Sequence, residues 1–144
     1  MIGVVVAAHG ELAHALVATA RLVVSDPGPV LAVGIDAQDD SASYQARLQA
    51  AVRQVQQEPG GTLVLTDMFG GTPANVGLTL HEPGKVEVLT GANLSMLIKA
   101  LQLGRGDMDL ATAALRVRES GVRAISIASE VLSGGPAATG ERRP

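Results

Sequence analysis

Apolar and polar positions alternate along the chain in two rhythms. Residues 2–8 (IGVVVAA) form an unbroken run of small and β-branched residues, the pattern of a strand covered on both faces. Residues 11–24 follow with apolar side chains at 12, 16, 17, 20, 23 and 24, the spacing of a helix with one apolar stripe. Ser25-Asp26-Pro27-Gly28 interrupts that helix, and residues 30–35 read as a second strand. Asp39-Asp40-Ser41 offers N-caps for a helix over residues 42–57, which ends at Glu58-Pro59-Gly60-Gly61. A third strand, TLVLT at residues 62–66, runs into Asp67 and the loop Met68-Phe69-Gly70-Gly71. Thr72 has N-cap chemistry and Pro73 suits the first helical position, so a short helix is expected to about residue 80. A strand at residues 85–89 and helices at 93–103 and 110–120 come next. The alternating VRAISIA of residues 122–128 is expected as a last strand at a sheet edge.

Strands that alternate with helices pair in parallel through right-handed crossovers. The expected fold is therefore α/β, a doubly wound and mostly parallel sheet with helices on both faces. Such sheets bind ligands beyond the carboxyl ends of their strands. His9, Asp36 and Asp67 each close a predicted strand, so all three are placed at that edge. Residues 1–128 read as one domain, and residues 129–144, rich in Ser, Gly, Pro and Ala, as a mobile tail.

Composition narrows the picture. Hydrophobic residues make up 47% of the 144 positions, yet aromatics make up only 1%, so the core is built from Val, Leu, Ile and Ala. The net charge of −3 is spread along the chain without a basic stripe, which argues against nucleic-acid binding. With no cysteine there is no thiolate nucleophile and no disulfide framework. The first apolar run is too short for a signal peptide and no stretch approaches a membrane span, so a cytoplasmic protein is expected.

The candidate chemistry centres on His9. It stands after the first strand and just before the first helix, whose N-terminus favours anions. Imidazole in that position can act as base, metal ligand or nucleophile. Asp67 is the natural carboxylate to hold one ring nitrogen and leave the other free. Gly10 leaves backbone open beside the ring, and Gly70, Gly71 and Thr72 bring a loop of the kind that forms anion-binding concavities. His14 on the first helix reads as a surface or packing residue, and His81 ends another helix, where a histidine favours the dipole. The three histidines have no metal-ligand spacing, so no metal is expected. From these residues alone the reading stops at an α/β domain with an anion-competent His/Asp edge.

Three stretches taken together go further. VVVAAHGELAHAL, LVLTDMFGGTPANVGL and VEVLTGANLSMLIKAL, in that order, resemble the IIA components of the mannose family of the bacterial phosphoenolpyruvate-dependent sugar phosphotransferase system. The resemblance spans roughly residues 1–128. It implies a phosphocarrier in which His9 accepts a phosphoryl group from phospho-HPr and passes it to a histidine of a IIB component for sugar uptake. It implies that Asp67 hydrogen-bonds the other ring nitrogen and that Thr72 lies in the active-site loop. It implies no cofactor, contact with a membrane only through the transporter complex, and a homodimer in which the last strand helps build the joint. No IIB-like stretch follows, so a free-standing IIA is expected. Three other readings sit beside it: a regulatory IIA-like protein whose phosphorylation state controls a partner, the related phosphocarrier subunit of dihydroxyacetone kinase, which TDMFGGTP fits less well, and a small-ligand-binding α/β module whose His9 is structural.

Overall fold

The computed structural model describes residues 1–134. Four strands form one all-parallel sheet: β1 (Gly3–His9), β2 (Val30–Ile35), β3 (Thr62–Thr66) and β4 (Val86–Leu89), in the order β2-β1-β3-β4. Among the described residues six helices accompany them: α1 (Leu12–Val23), α2 (Ser41–Val55), α3 (Thr72–Leu78), α4 (Leu94–Gly104), α5 (Leu110–Arg123) and α6 (Ala128–Leu132).

The central strand β1 shows why its sequence is continuously apolar. Successive side chains point to opposite faces, and both faces are covered. Val4, Val6 and Ala8 pack with α1, α4 and α5 through Val17, Leu97, Leu101 and Val117. Val5 and Ala7 pack on the other side with α2 and α3 through Tyr44, Leu48, Val52 and Val76. Tyr44, the larger of the two aromatics, is fully buried and donates its hydroxyl to the Val33 carbonyl at 3.3 Å. Burial pushes its phenol pKa up.

The chain leaves β1 toward β2 on one side and returns to β3 on the other. The direction of winding therefore reverses between β1 and β3, with α1 on one face and α3 on the other. Ala7 pairs with Thr66 in that ladder, which brings Asp67, the first residue beyond β3, alongside the last two residues of β1. This junction is where a doubly wound sheet opens a crevice.

Two expectations change. The run at residues 122–128 is not a strand of this chain's sheet. Val122 and Arg123 complete α5, Ile127 is extended at φ −110° and ψ 125°, and α6 begins at Ala128. An alternating strand needs an edge to pair with and a layer to bury its apolar side. Here Val122, Ile125 and Ile127 all face solvent. Thr72, expected as the cap of α3, instead starts the helix. Gly71 takes the N-cap place with no side-chain cap, and Pro73 follows inside the first turn. The cap assigned to α2 falls on Asp40, whose carboxylate accepts from the Ser43 N–H at 2.7 Å. Of the expected tail, residues 129–132 belong to α6, and residues 135–144 lie outside the described residues.

Candidate functional site

β1 delivers His9 to the crevice as its last residue, and Asp67 follows directly on β3. The two side chains meet there. One carboxylate oxygen of Asp67, Oδ2, accepts from the His9 backbone N–H at 2.9 Å and lies 2.7 Å from His9 Nδ1. The other oxygen accepts from the Met68 N–H at 2.8 Å. Partial burial alone raises the pKa of this carboxyl. The hydrogen bonds from His9 and Met68 outweigh it and hold Asp67 below the usual carboxylate range. An ionised Asp67 can only accept, so Nδ1 carries a proton, and in the neutral ring the Nε2 lone pair is left free. The Asp67 side chain is 11% exposed and the His9 side chain 49% exposed, so the clamp is covered while the ring is half exposed.

Gly71 fixes what lies beside that nitrogen. A Cβ on this residue would stand 2.8 Å from His9 Cε1, 3.5 Å from Nε2 and 3.2 Å from Met68 Cγ. The loop therefore packs against the ring only because residue 71 has no side chain. The α3 N-terminus starts at the next residue, with first-turn N–H groups that have no intrahelical partner. Gly70, at φ +88°, makes the left-handed turn that brings the loop back toward the ring. Gly10 behaves differently. Its N–H is already donated to the Ile35 carbonyl at 2.7 Å, so it offers open space rather than a donor; nothing lies within 4 Å of where its Cβ would be.

Of the three strand-end residues named from the sequence, the structure joins two. Asp36 at the end of β2 is a turn residue, its carboxylate accepting from Gln38 N–H at 2.9 Å and its own N–H donating to Asp39. Arg47 closes that corner by donating to the Gly34 carbonyl and to Asp39, and it lies over the Tyr44 ring. His14 lies along α1 beside Gly34, and His81 follows α3 at 3.6 Å from Glu87, so neither joins the pair. Sequence reasoning missed the contact between Gly71 and the imidazole. The only sequence signal for it is a second glycine after one that already serves the turn.

A covered carboxylate that holds one nitrogen of an exposed imidazole, next to a helix start, can activate that imidazole as a nucleophile toward an anionic group. The family described as PTS system fructose IIA component (EIIA-man) matches residues 3–115. The chain belongs to this family. It is a phosphotransferase-system IIA component, and membership gives it a phosphocarrier role in sugar uptake. The PTS fructose-specific EIIA component of Bacillus subtilis (strain 168) is 27% identical over 104 residues, which cover 72% of this chain and 70% of that protein. The fold is also that of solved IIA proteins. The EIIA of Streptococcus agalactiae superposes with a TM-score of 0.79 at 29% identity, over 90% of this chain and 98% of that one. The mannose/sorbose-specific IIA subunit of Enterococcus faecalis gives 0.77 at 27% identity, over 88% and 93%. No helix among the described residues is long and apolar enough to cross a membrane.

Proposed function

We propose that His9 is the phosphoryl acceptor of this IIA component. It takes the group from phospho-HPr and passes it to a histidine of a IIB component in the cytoplasm. One observation carries this reading: Nδ1 is clamped to Asp67 at 2.7 Å on a half-exposed ring, which leaves Nε2 outside the clamp on an oriented imidazole. In the forward step the Nε2 lone pair attacks phosphorus. The P–N bond to the donor imidazole breaks, and its electron pair returns to the donor ring. The His9 ring gains positive charge as the Nε2–P bond forms, and Asp67 stabilises it through Nδ1–H without giving up or taking the proton. Gly71 and Thr72 bring backbone N–H groups and a hydroxyl in the loop beside the ring, with Gly70 setting the turn and Gly10 leaving open space next to it.

The same reading includes a homodimer. The outer edge of β4 has no partner strand among the described residues. Between β4 and α5 runs a groove of about 610 Å³ lined by Val88, Leu89, Met96, Leu115, Val122 and Ile125. The exposed run that includes Ile125 and Ile127 fits such a groove on a second copy, where its alternating pattern would gain both an edge and an apolar layer.

The test is incubation of the purified protein with phosphoenolpyruvate, enzyme I and HPr. A mass gain of one phosphoryl group, labile to acid and stable to base, is expected in the wild type and absent in His9→Ala. Unchanged labelling of His9→Ala overturns the site.

A further inference from the structure

Helix α5 carries two stripes. Leu110, Ala113, Val117 and Gly121 are buried. The neighbouring stripe holds Thr112, Arg116, Glu119 and Arg123, spaced so that they stand one above another along the helix. With Leu115 and with Lys99 of α4 these four line a cavity of about 400 Å³ that shares no residue with the His9 crevice. Its charge differs from that of the chain, which carries −3 overall, because three cations and one carboxylate meet here. Arg47, Lys85 and Arg105 each hold a carboxylate, Asp39, Glu82 and Asp26 in turn. Lys99, Arg116 and Arg123 hold none among the described residues, and Glu119 forms an ion pair with neither arginine. Cations gathered around one cavity repel each other, and an anion seated between them turns that repulsion into attraction. The Thr112 hydroxyl is already donated to Asp109 at 2.9 Å, so recognition falls to the three cations. Leu115, 52% exposed, supplies an apolar wall.

We propose that Lys99, Arg116 and Arg123 bind the phosphate group of a phosphate-bearing ligand, with Leu115 against its carbon skeleton. A guanidinium fork matches two phosphate oxygens, and two such forks stand on one face of α5, with the lysine ammonium opposite them on α4. The volume suits a small organic phosphate. The glycerol phosphate headgroup of an anionic lipid presents the same group. Glu119 stands between the two arginines in the stripe and competes with the phosphate for them, so it lowers the affinity. The phosphate is bound and not transferred, and the site is independent of the phosphocarrier reading of His9.

The experiment titrates the full chain at about 0.15 M salt, where bare surface attraction is largely screened. Glycerol 3-phosphate and inorganic pyrophosphate probe the soluble source, followed by the amide chemical shifts of α4 and α5. Vesicles of phosphatidylcholine with phosphatidylglycerol probe the lipid source, followed by co-flotation. Saturation by a soluble probe with a Kd below about 1 mM assigns a free organic phosphate, and capture by the vesicles alone assigns the headgroup. In either case Arg116→Gln/Arg123→Gln should weaken binding at least about tenfold. Its circular dichroism and urea midpoint should stay those of the wild type, since both side chains are exposed. Glu119→Gln should tighten binding severalfold. Arg53→Gln, which removes an exposed charge from α2, and His9→Ala should bind as the wild type does. Absence of binding to every probe overturns the proposal, as does an unchanged affinity in the double arginine variant or in Glu119→Gln. An equal loss in Arg53→Gln would reduce the effect to net charge, and a loss in His9→Ala would put the phosphate at the strand-end histidine; either result overturns the site.

Discussion

At the scale of single residues, the site is a division of labour between an exposed ring and a covered carboxylate. Asp67→Ala removes the group that fixes the His9 tautomer but leaves Nε2 in place. Phosphoryl transfer should slow by roughly tenfold to a hundredfold, the usual cost of losing a carboxylate that orients a histidine, and should not stop. Rapid-quench kinetics with phospho-HPr checks this, and wild-type rates would remove Asp67 from the mechanism. The lowered Asp67 pKa also has a direction in stability. A carboxyl whose folded pKa lies below its unfolded value near 3.8 stabilises the fold above that pH, and the contribution is lost as pH falls toward the folded pKa. Urea unfolding of wild type against Asp67→Asn should therefore show a gap at pH 6 that closes below about pH 4. Gly71→Ala tests the closest approach at the site. Its Cβ would fall 2.8 Å from His9 Cε1, so the ring must shift and transfer should drop, while far-UV circular dichroism stays that of the wild type. His9 and Asp67 were legible in the sequence because strand ends mark the crevice. The Gly71 contact was not, since it depends on how the loop folds back across neighbouring strands.

At the scale of elements, local patterning and local chemistry agree closely. The β1 run, the amphipathic spacing of α1 and the Asp40 cap of α2 all formed where their patterns place them, because each depends on neighbours a few residues away. Thr72 shows the limit. Its side chain suits a cap, yet the helix begins one residue earlier, at the turn set by Gly70 and the close packing of Gly71 on the imidazole. Asn93 is an element-scale joint of a kind the sequence does not announce. It caps α4 by accepting from Met96 N–H at 2.9 Å, and its amide donates to the Gly121 carbonyl of α5 at 3.2 Å. Asn93→Ala should cost about 1–2 kcal/mol in urea unfolding through loss of the cap and the tie together. An effect below a few tenths of a kcal/mol would show that the two helices hold their angle by packing alone.

At the scale of the whole molecule, the proposed homodimer gives the exposed apolar run after α5 something to cover. Ile125→Glu/Ile127→Glu places charges where a second copy would bury isoleucine. Sedimentation equilibrium should report a dimer for the wild type and a monomer for the variant, with the secondary structure of the monomer retained. A wild-type monomer at tens of micromolar, or a dimer in both, would remove this face from the assembly. The sequence by itself determined the α/β architecture, the order of most elements and the strand-end positions of His9 and Asp67. Hydrophobic periodicity and helix or turn chemistry are local, and the crevice rule follows from strand order. The sequence named Asp67 as the partner of the imidazole, and only the tertiary structure shows what sets it apart from Asp36. Asp36 and Asp67 look alike in sequence, but Asp36 folds into its own turn while Asp67 sits across the β1–β3 ladder from the ring. It also decided the fate of residues 122–128. An alternating pattern states that one face of a strand is to be buried, and only the packed molecule shows whether an edge exists in the same chain to bury it.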